Sequence, residues 1–216
     1  MKILDFILDL FYPRRCPFCR RLLNRGQLIC RFCPPKLPAV PPELQTQNFK
    51  YIAACYSPLY YEKVVRDSLL RYKFQGAAAY ADAYGELLAQ CIDENSITCD
   101  VVTWVPLSHR RLRKRGYDQA RLLAEAAARY MNTPCTMLLR KTRNNPAQSG
   151  TANAETRRRN VLGVYEAVKS ACVDGKCVLL VDDIVTTGST LSECAKMLKS
   201  AGADKIFALT LARTRD

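Results

Sequence analysis

The run Val178-Leu179-Leu180-Val181-Asp182-Asp183-Ile184-Val185-Thr186-Thr187-Gly188-Ser189-Thr190 sets four apolar residues against two adjacent carboxylates, then a hydroxyl-rich turn around one glycine. Two carboxylates beside a buried strand repel each other and resist desolvation, so the pairing asks for a compensating ligand. The turn joins a strand end to a helix start, where the first amides lack intrahelical partners and can receive an anion. Gly188 permits close backbone approach, and the hydroxyls of Thr186, Thr187, Ser189 and Thr190 add donors suited to a phosphate monoester. An ordinary Ser/Thr helix cap would account for one hydroxyl rather than four. Carboxylates repel phosphate, but they accept sugar hydroxyls and partner magnesium. The order of residue types therefore describes a ligand with a phosphate, a ribose diol, and further phosphate with metal. Neither G-x-x-x-x-G-K-[ST] nor G-x-G-x-x-G occurs, which excludes the two common nucleotide loops.

A second constellation is Cys16-Pro17-Phe18-Cys19 with Cys30-Arg31-Phe32-Cys33. Each CxxC turns two sulfurs toward one centre, and two such knuckles supply the four thiolates of a closed, structural zinc site. The gap between Cys19 and Cys30 is shorter than in common zinc ribbons, yet it allows a small hairpin bending at Gly26. So short a segment has little core of its own, and a metal would supply the missing stability. A redox dithiol would need one CxxC at a helix start inside a βαβ unit, which is not this setting. Arg14, Arg15, Arg20, Arg21, Arg25 and Arg31 surround the knuckles, with Phe18 and Phe32 inside them. Either the arginines contact phosphates while the rings stack on bases, or the rings pack the small core and the arginines solvate it. The other cysteines are isolated beside apolar residues and read as small, buried, reduced side chains.

These groups need elements to position them. Five prolines between Pro34 and Pro42 read as an extended spacer, dividing a cysteine module with linker (1–45) from a larger domain (46–216). In the larger part, strands are expected at 51–57, 100–106, 135–140, 178–182 and 205–213. Helices are expected at 61–74, 79–92, 117–131 and 189–202. This alternation predicts an α/β fold with a parallel sheet flanked by helices, ligands binding beyond the carboxyl ends of the strands.

Lys and Arg number 33 against 20 Asp and Glu, a net charge of +13 that points to polyanionic partners. The N-terminal run is interrupted by Asp5 and Asp9, so it reads as a short amphipathic helix through Leu4, Ile7, Leu8 and Phe11 rather than a signal peptide. No segment is apolar enough for a membrane span, and a cytoplasmic location is expected.

The acid pair and its loop resemble the phosphoribosyl pyrophosphate (PRPP) motif of type I phosphoribosyltransferases. The knuckles, then "RYKFQG" (71–76), "VPLSHRRLRKRGYDQARLLA" (105–124), "LLRKTRNNPAQSG" (138–150) and "RRRNVLG" (157–163), resemble the ComF family of competence proteins in unbroken order. Thr151 and Asp118 stand where that family often has leucine and asparagine. The resemblance implies a type I phosphoribosyltransferase-like fold behind a four-cysteine zinc ribbon, with structural zinc and magnesium-PRPP as cofactor and ligand. It assigns the ribose hydroxyls to Asp182 and Asp183, also the catalytic pair if turnover occurs, and the 5′-phosphate to Thr186 through Thr190. It further implies a pyrophosphate loop at Leu107 and Ser108 near His109, Arg110 and Arg111, with Arg115, Gln119 and Lys73 as further contacts. A flap over 140–160 would contribute Arg140, Gln148 and Arg157. The family association is with cytosolic handling of single-stranded DNA during natural transformation, with other DNA-uptake proteins as further partners. The competing reading is an active phosphoribosyltransferase of nucleotide metabolism, carrying ribose 5-phosphate from PRPP to a nitrogen acceptor.

Overall fold

The computed structural model describes residues 13–143, 163–168 and 172–215. Its strands are β1 (Thr46–Phe49), β2 (Ile52–Tyr56), β3 (Leu59–Tyr60), β4 (Val101–Trp104), β5 (Leu139–Lys141), β6 (Tyr165–Ala167), β7 (Cys177–Val185) and β8 (Lys205–Arg213). Its helices are α1 (Lys63–Phe74), α2 (Tyr80–Glu94), α3 (His109–Arg115), α4 (Gln119–Met131) and α5 (Ser189–Ser200). One sheet runs β1-β2-β8-β7-β4, with β3 also paired to β8. Every pairing in it is parallel except the edge pair β1–β2.

Side-chain alternation along β7 explains its continuous apolar run. Leu179 and Val181 enter the core beneath α1, α2 and α4, whereas Val178 and Leu180 enter the core beneath α5. A strand buried on both faces must be apolar at every position, as expected of a central parallel strand. Helix α4, in the connection after β4, and helix α5, after β7, thus cover opposite faces, which makes the gap between these strands a topological switch point.

Several expectations need correction. The acid pair does not end its strand, since β7 runs on to Val185 along β8. Residues 135–140 form only a one-residue bridge, Val102 to Cys135, and the strand there begins at Leu139 and pairs with β6 away from the main sheet. Strand β1 and helix α3 add to the expected elements. The proline-rich segment is not a free spacer. It makes two short 3-10 turns, and the amides of Val40 and Tyr60 donate to the carbonyls of Pro58 and Pro38. Cys172 is exposed, unlike the buried Cys55, Cys91 and Cys194. The N-terminal amphipathic stretch lies outside the described residues, among which no helix is long and apolar enough to cross a membrane.

The cysteine module packs directly on the domain. Phe18 is buried with its ring centroid 6.1 Å from that of Tyr84. Ser68 Oγ and Arg71 Nη2 on α1 donate to the Pro17 carbonyl at 2.6 and 2.7 Å, satisfying a knuckle turn that has no ladder partner.

Candidate functional site

Strand β4 stops pairing at Trp104 opposite Val181, while β7 continues. The edge of β7 from Asp182 onward therefore opens into a cavity of about 520 Å³, a volume typical of small-ligand sites. Adjacent strand residues project to opposite faces, so the two carboxylates diverge. Asp183 turns toward α1, where Lys73 Nζ meets its Oδ2 at 2.8 Å. Asp182 stays on the α5 side, and its Oδ1 accepts the Asp183 amide at 2.8 Å. Both line the one cavity. Burial first, then repulsion from Asp183, pushes the Asp182 carboxyl up to about 8, against partial relief from that amide and from Lys73.

The cavity is otherwise cationic: Lys73, Arg111, Lys114, Arg115 and Lys141 line it against the two acids. Burial pushes the Arg115 and Lys141 pKa values down, so an anion seated here would relieve a cost the fold carries. Gln119, buried on α4, also lines the cavity, and its Oε1 has no partner among the described residues.

Residues Thr186 to Thr190 form the far wall. Gly188 caps α5 at φ +67°, the left-handed conformation that favours glycine, and turns the chain into the helix. The Phe49 ring of β1 lies so close to it that a Cβ on residue 188 would stand 2.1 Å from the ring. Thr187 Oγ1 and Ser189 Oγ are 2.9 Å apart, which gathers two hydroxyls at the loop.

The loop after β4 is held from α4. Asp118 caps that helix through the Arg121 amide at 3.3 Å and accepts the Leu107 amide at 3.1 Å. Leu107 lines the cavity with its own amide already engaged, whereas Ser108 is buried and lies outside the lining. His109 is exposed on α3 and is not among the lining residues. Arg140 pairs with Glu166 at 2.9 Å on an exposed face, and its neighbour Lys141 reaches the cavity instead. Gln148 and Arg157 lie outside the described residues. Phe49, Lys141, Tyr165 and the wall of Tyr61, Leu70 and Phe74 were not anticipated. Leu70 and Phe74 did carry a signal, since both fall off the apolar stripe of their helix.

The four knuckle sulfurs lie within 4.8 Å of one another, with Cys16–Cys33 at 3.7 Å and Cys19–Cys30 at 3.5 Å. A tetrahedron with metal–sulfur bonds of about 2.3 Å has edges of about 3.8 Å, so the donor set fits zinc. Burial raises the Cys33 thiol, and neighbouring thiols raise it further. Burial also opposes ionisation of Cys30, but the Phe32 amide and the other thiols bring it down to about 7. A cation at the centre would favour the thiolate forms. Gly26, at φ +82°, makes the bend between the knuckles.

Residues 118–216 match the phosphoribosyl transferase domain, the segment that carries α4, β7, the loop and α5. Competence protein F of Haemophilus influenzae is 28% identical over 235 residues, covering 94% of this chain and 98% of that protein. Competence protein ComFC of Bacillus subtilis is 27% identical, covering 92% of this chain and 78% of that protein. The DNA utilization protein YhgH of Escherichia coli is 28% identical, covering 92% and 84%. These alignments run through the cysteine module as well as the sheet, and the chain belongs to the ComF family of competence proteins, with a phosphoribosyltransferase-like domain behind a four-cysteine module.

Proposed function

We propose that the cavity binds magnesium-PRPP and that the protein acts in the cytosolic handling of single-stranded DNA during natural transformation. One observation carries the first part: a divergent acid pair and a left-handed glycine loop open onto a single cationic cavity. The 5′-phosphate sits in the loop from Thr186 to Thr190, against the first amides of α5 and the clustered hydroxyls. Asp182 and Asp183 accept the ribose hydroxyls. Lys73 and Arg115 face the pyrophosphate beside Leu107, with Lys73 able to leave Asp183 for phosphate. Magnesium, when bound, neutralises charge on the pyrophosphate. If the sugar is transferred, positive charge grows on its ring beside the carboxylates, and no protein nucleophile is required. Zinc at Cys16, Cys19, Cys30 and Cys33 has a structural role, since four sulfurs leave no open position.

The DNA part draws on the printed names of the relatives and on the net charge of +13. Calorimetric titration with magnesium-PRPP tests the cavity. The unaltered protein should bind, and the variant Asp182→Ala with Asp183→Ala should lose at least tenfold in affinity, about 1.4 kcal/mol. Equal affinity in both proteins would sink the assignment. Pyrophosphate release across a panel of nitrogen acceptors then separates turnover from binding alone.

A further inference from the structure

One wall of the cavity is left unused by that reading. Leu70, Lys73 and Phe74 share the cavity-facing side of α1, and Tyr61 extends the same surface. The opposite stripe of the helix, Val65, Leu69 and Tyr72, is buried in the core. Leu70 is 37% exposed and Phe74 is 59% exposed. The Arg115 guanidinium lies over the Phe74 ring, 5.0 Å from its centroid. A phenylalanine held open at the mouth of a cationic cavity leaves apolar surface in water that a stacking ligand would cover.

Beside this wall runs α3, with sequence HRRLRKR and no buried residue. Its Arg111, Lys114 and Arg115 line the cavity, and the exposed Lys114 lies one helical turn from the exposed Arg110. An open aromatic ring flanked by a row of cations fits one ligand chemistry: a base to stack and phosphates to pair. The cysteine module offers a weaker version. Phe18 is buried against Tyr84, and Phe32 is already flanked by Arg21 and Arg31 at 4.5 and 4.8 Å.

We infer that Tyr61, Leu70 and Phe74 form a base platform for single-stranded DNA, one base stacking on Phe74 while the adjoining phosphates lie on Arg110 and Lys114. The inference rests on the PRPP reading for the neighbouring subsite and names where the strand meets it. Since base and PRPP would share one cavity, each must alter the affinity of the other by the same factor.

The test is fluorescence anisotropy of a short labelled oligodeoxythymidine at several salt concentrations, with and without magnesium-PRPP. Phe74→Ala should weaken binding on the order of tenfold at fixed salt while leaving the salt slope unchanged, because stacking releases no counterions. Phe74→Trp should restore affinity. Arg110→Ala with Lys114→Ala should instead flatten the slope by about 1.4, two single-strand phosphate contacts. The platform is refuted if Phe74→Ala binds the oligonucleotide as the unaltered protein does. It is equally refuted if free thymine binds at this wall and the oligonucleotide does not. Failure of magnesium-PRPP to bind the unaltered protein would overturn the neighbouring reading instead, and the anisotropy series reports on the platform independently of it.

Discussion

Replacing Gly188 by alanine isolates the backbone of the loop from Thr186 to Thr190 from its side chains. Two costs follow from the geometry. At φ +67° an L residue sits in the left-handed region, at about 1–2 kcal/mol. The added Cβ would also stand 2.1, 2.3 and 2.6 Å from three ring atoms of Phe49, and forcing them apart adds about 1–3 kcal/mol. Together they amount to about 2–5 kcal/mol. For a chain of this size each kcal/mol lowers Tm by about 2–4 °C, so thermal melts should show a loss of about 4–20 °C. The two costs separate in a double-mutant cycle. With Phe49→Ala present, the clash is gone and Gly188→Ala should cost only the backbone part, a coupling of about 1–3 kcal/mol. A Gly188→Ala cost that is the same in both backgrounds, or a melt within a degree of the unaltered protein, would show that Phe49 does not clamp this loop.

Two further outcomes follow from the charged groups. Because the folded Asp182 carboxyl titrates near 8 rather than 3.8, the folded state holds a proton that the unfolded chain has lost, and stability falls as pH rises between these values. Asp182→Asn should therefore melt higher than the unaltered protein at pH 8 without ligand, with the difference vanishing near pH 4; a difference independent of pH would refute the burial argument. Cys16→Ser, or chelation of the metal, should open residues 14–35 to protease and free the knuckle thiols to react with a thiol reagent. Unreactive thiols after chelation would show that the module folds without metal.

The parts legible in the sequence are those whose physics is local. The β7 run, its acid pair and the loop lie in consecutive residues, and period and turn chemistry suffice to place them. The CxxC spacing likewise dictates four sulfurs around one point. Helix α3 escaped because its only apolar residue is Leu112, leaving no periodicity to detect. Phe49 escaped for a different reason: it reaches Gly188 only once β1 has paired with β2 and β2 with β8. The divergence of Asp182 and Asp183 was equally hidden. It depends on where β4 stops, and strand lengths relative to one another are a property of the sheet rather than of any segment.

Helix α1 has a consequence for how this chain can be taken apart. On one side Ser68 and Arg71 grip the Pro17 carbonyl, and on another Lys73 grips Asp183. Severing the chain at residue 45 would strip Phe18 from Tyr84 and leave Ser68 and Arg71 without the carbonyl they hold. The cysteine module is thus a foundation stone of the cavity, and a transplant of the sheet alone to another scaffold would have to rebuild the footing beneath α1 before it could hold a ligand.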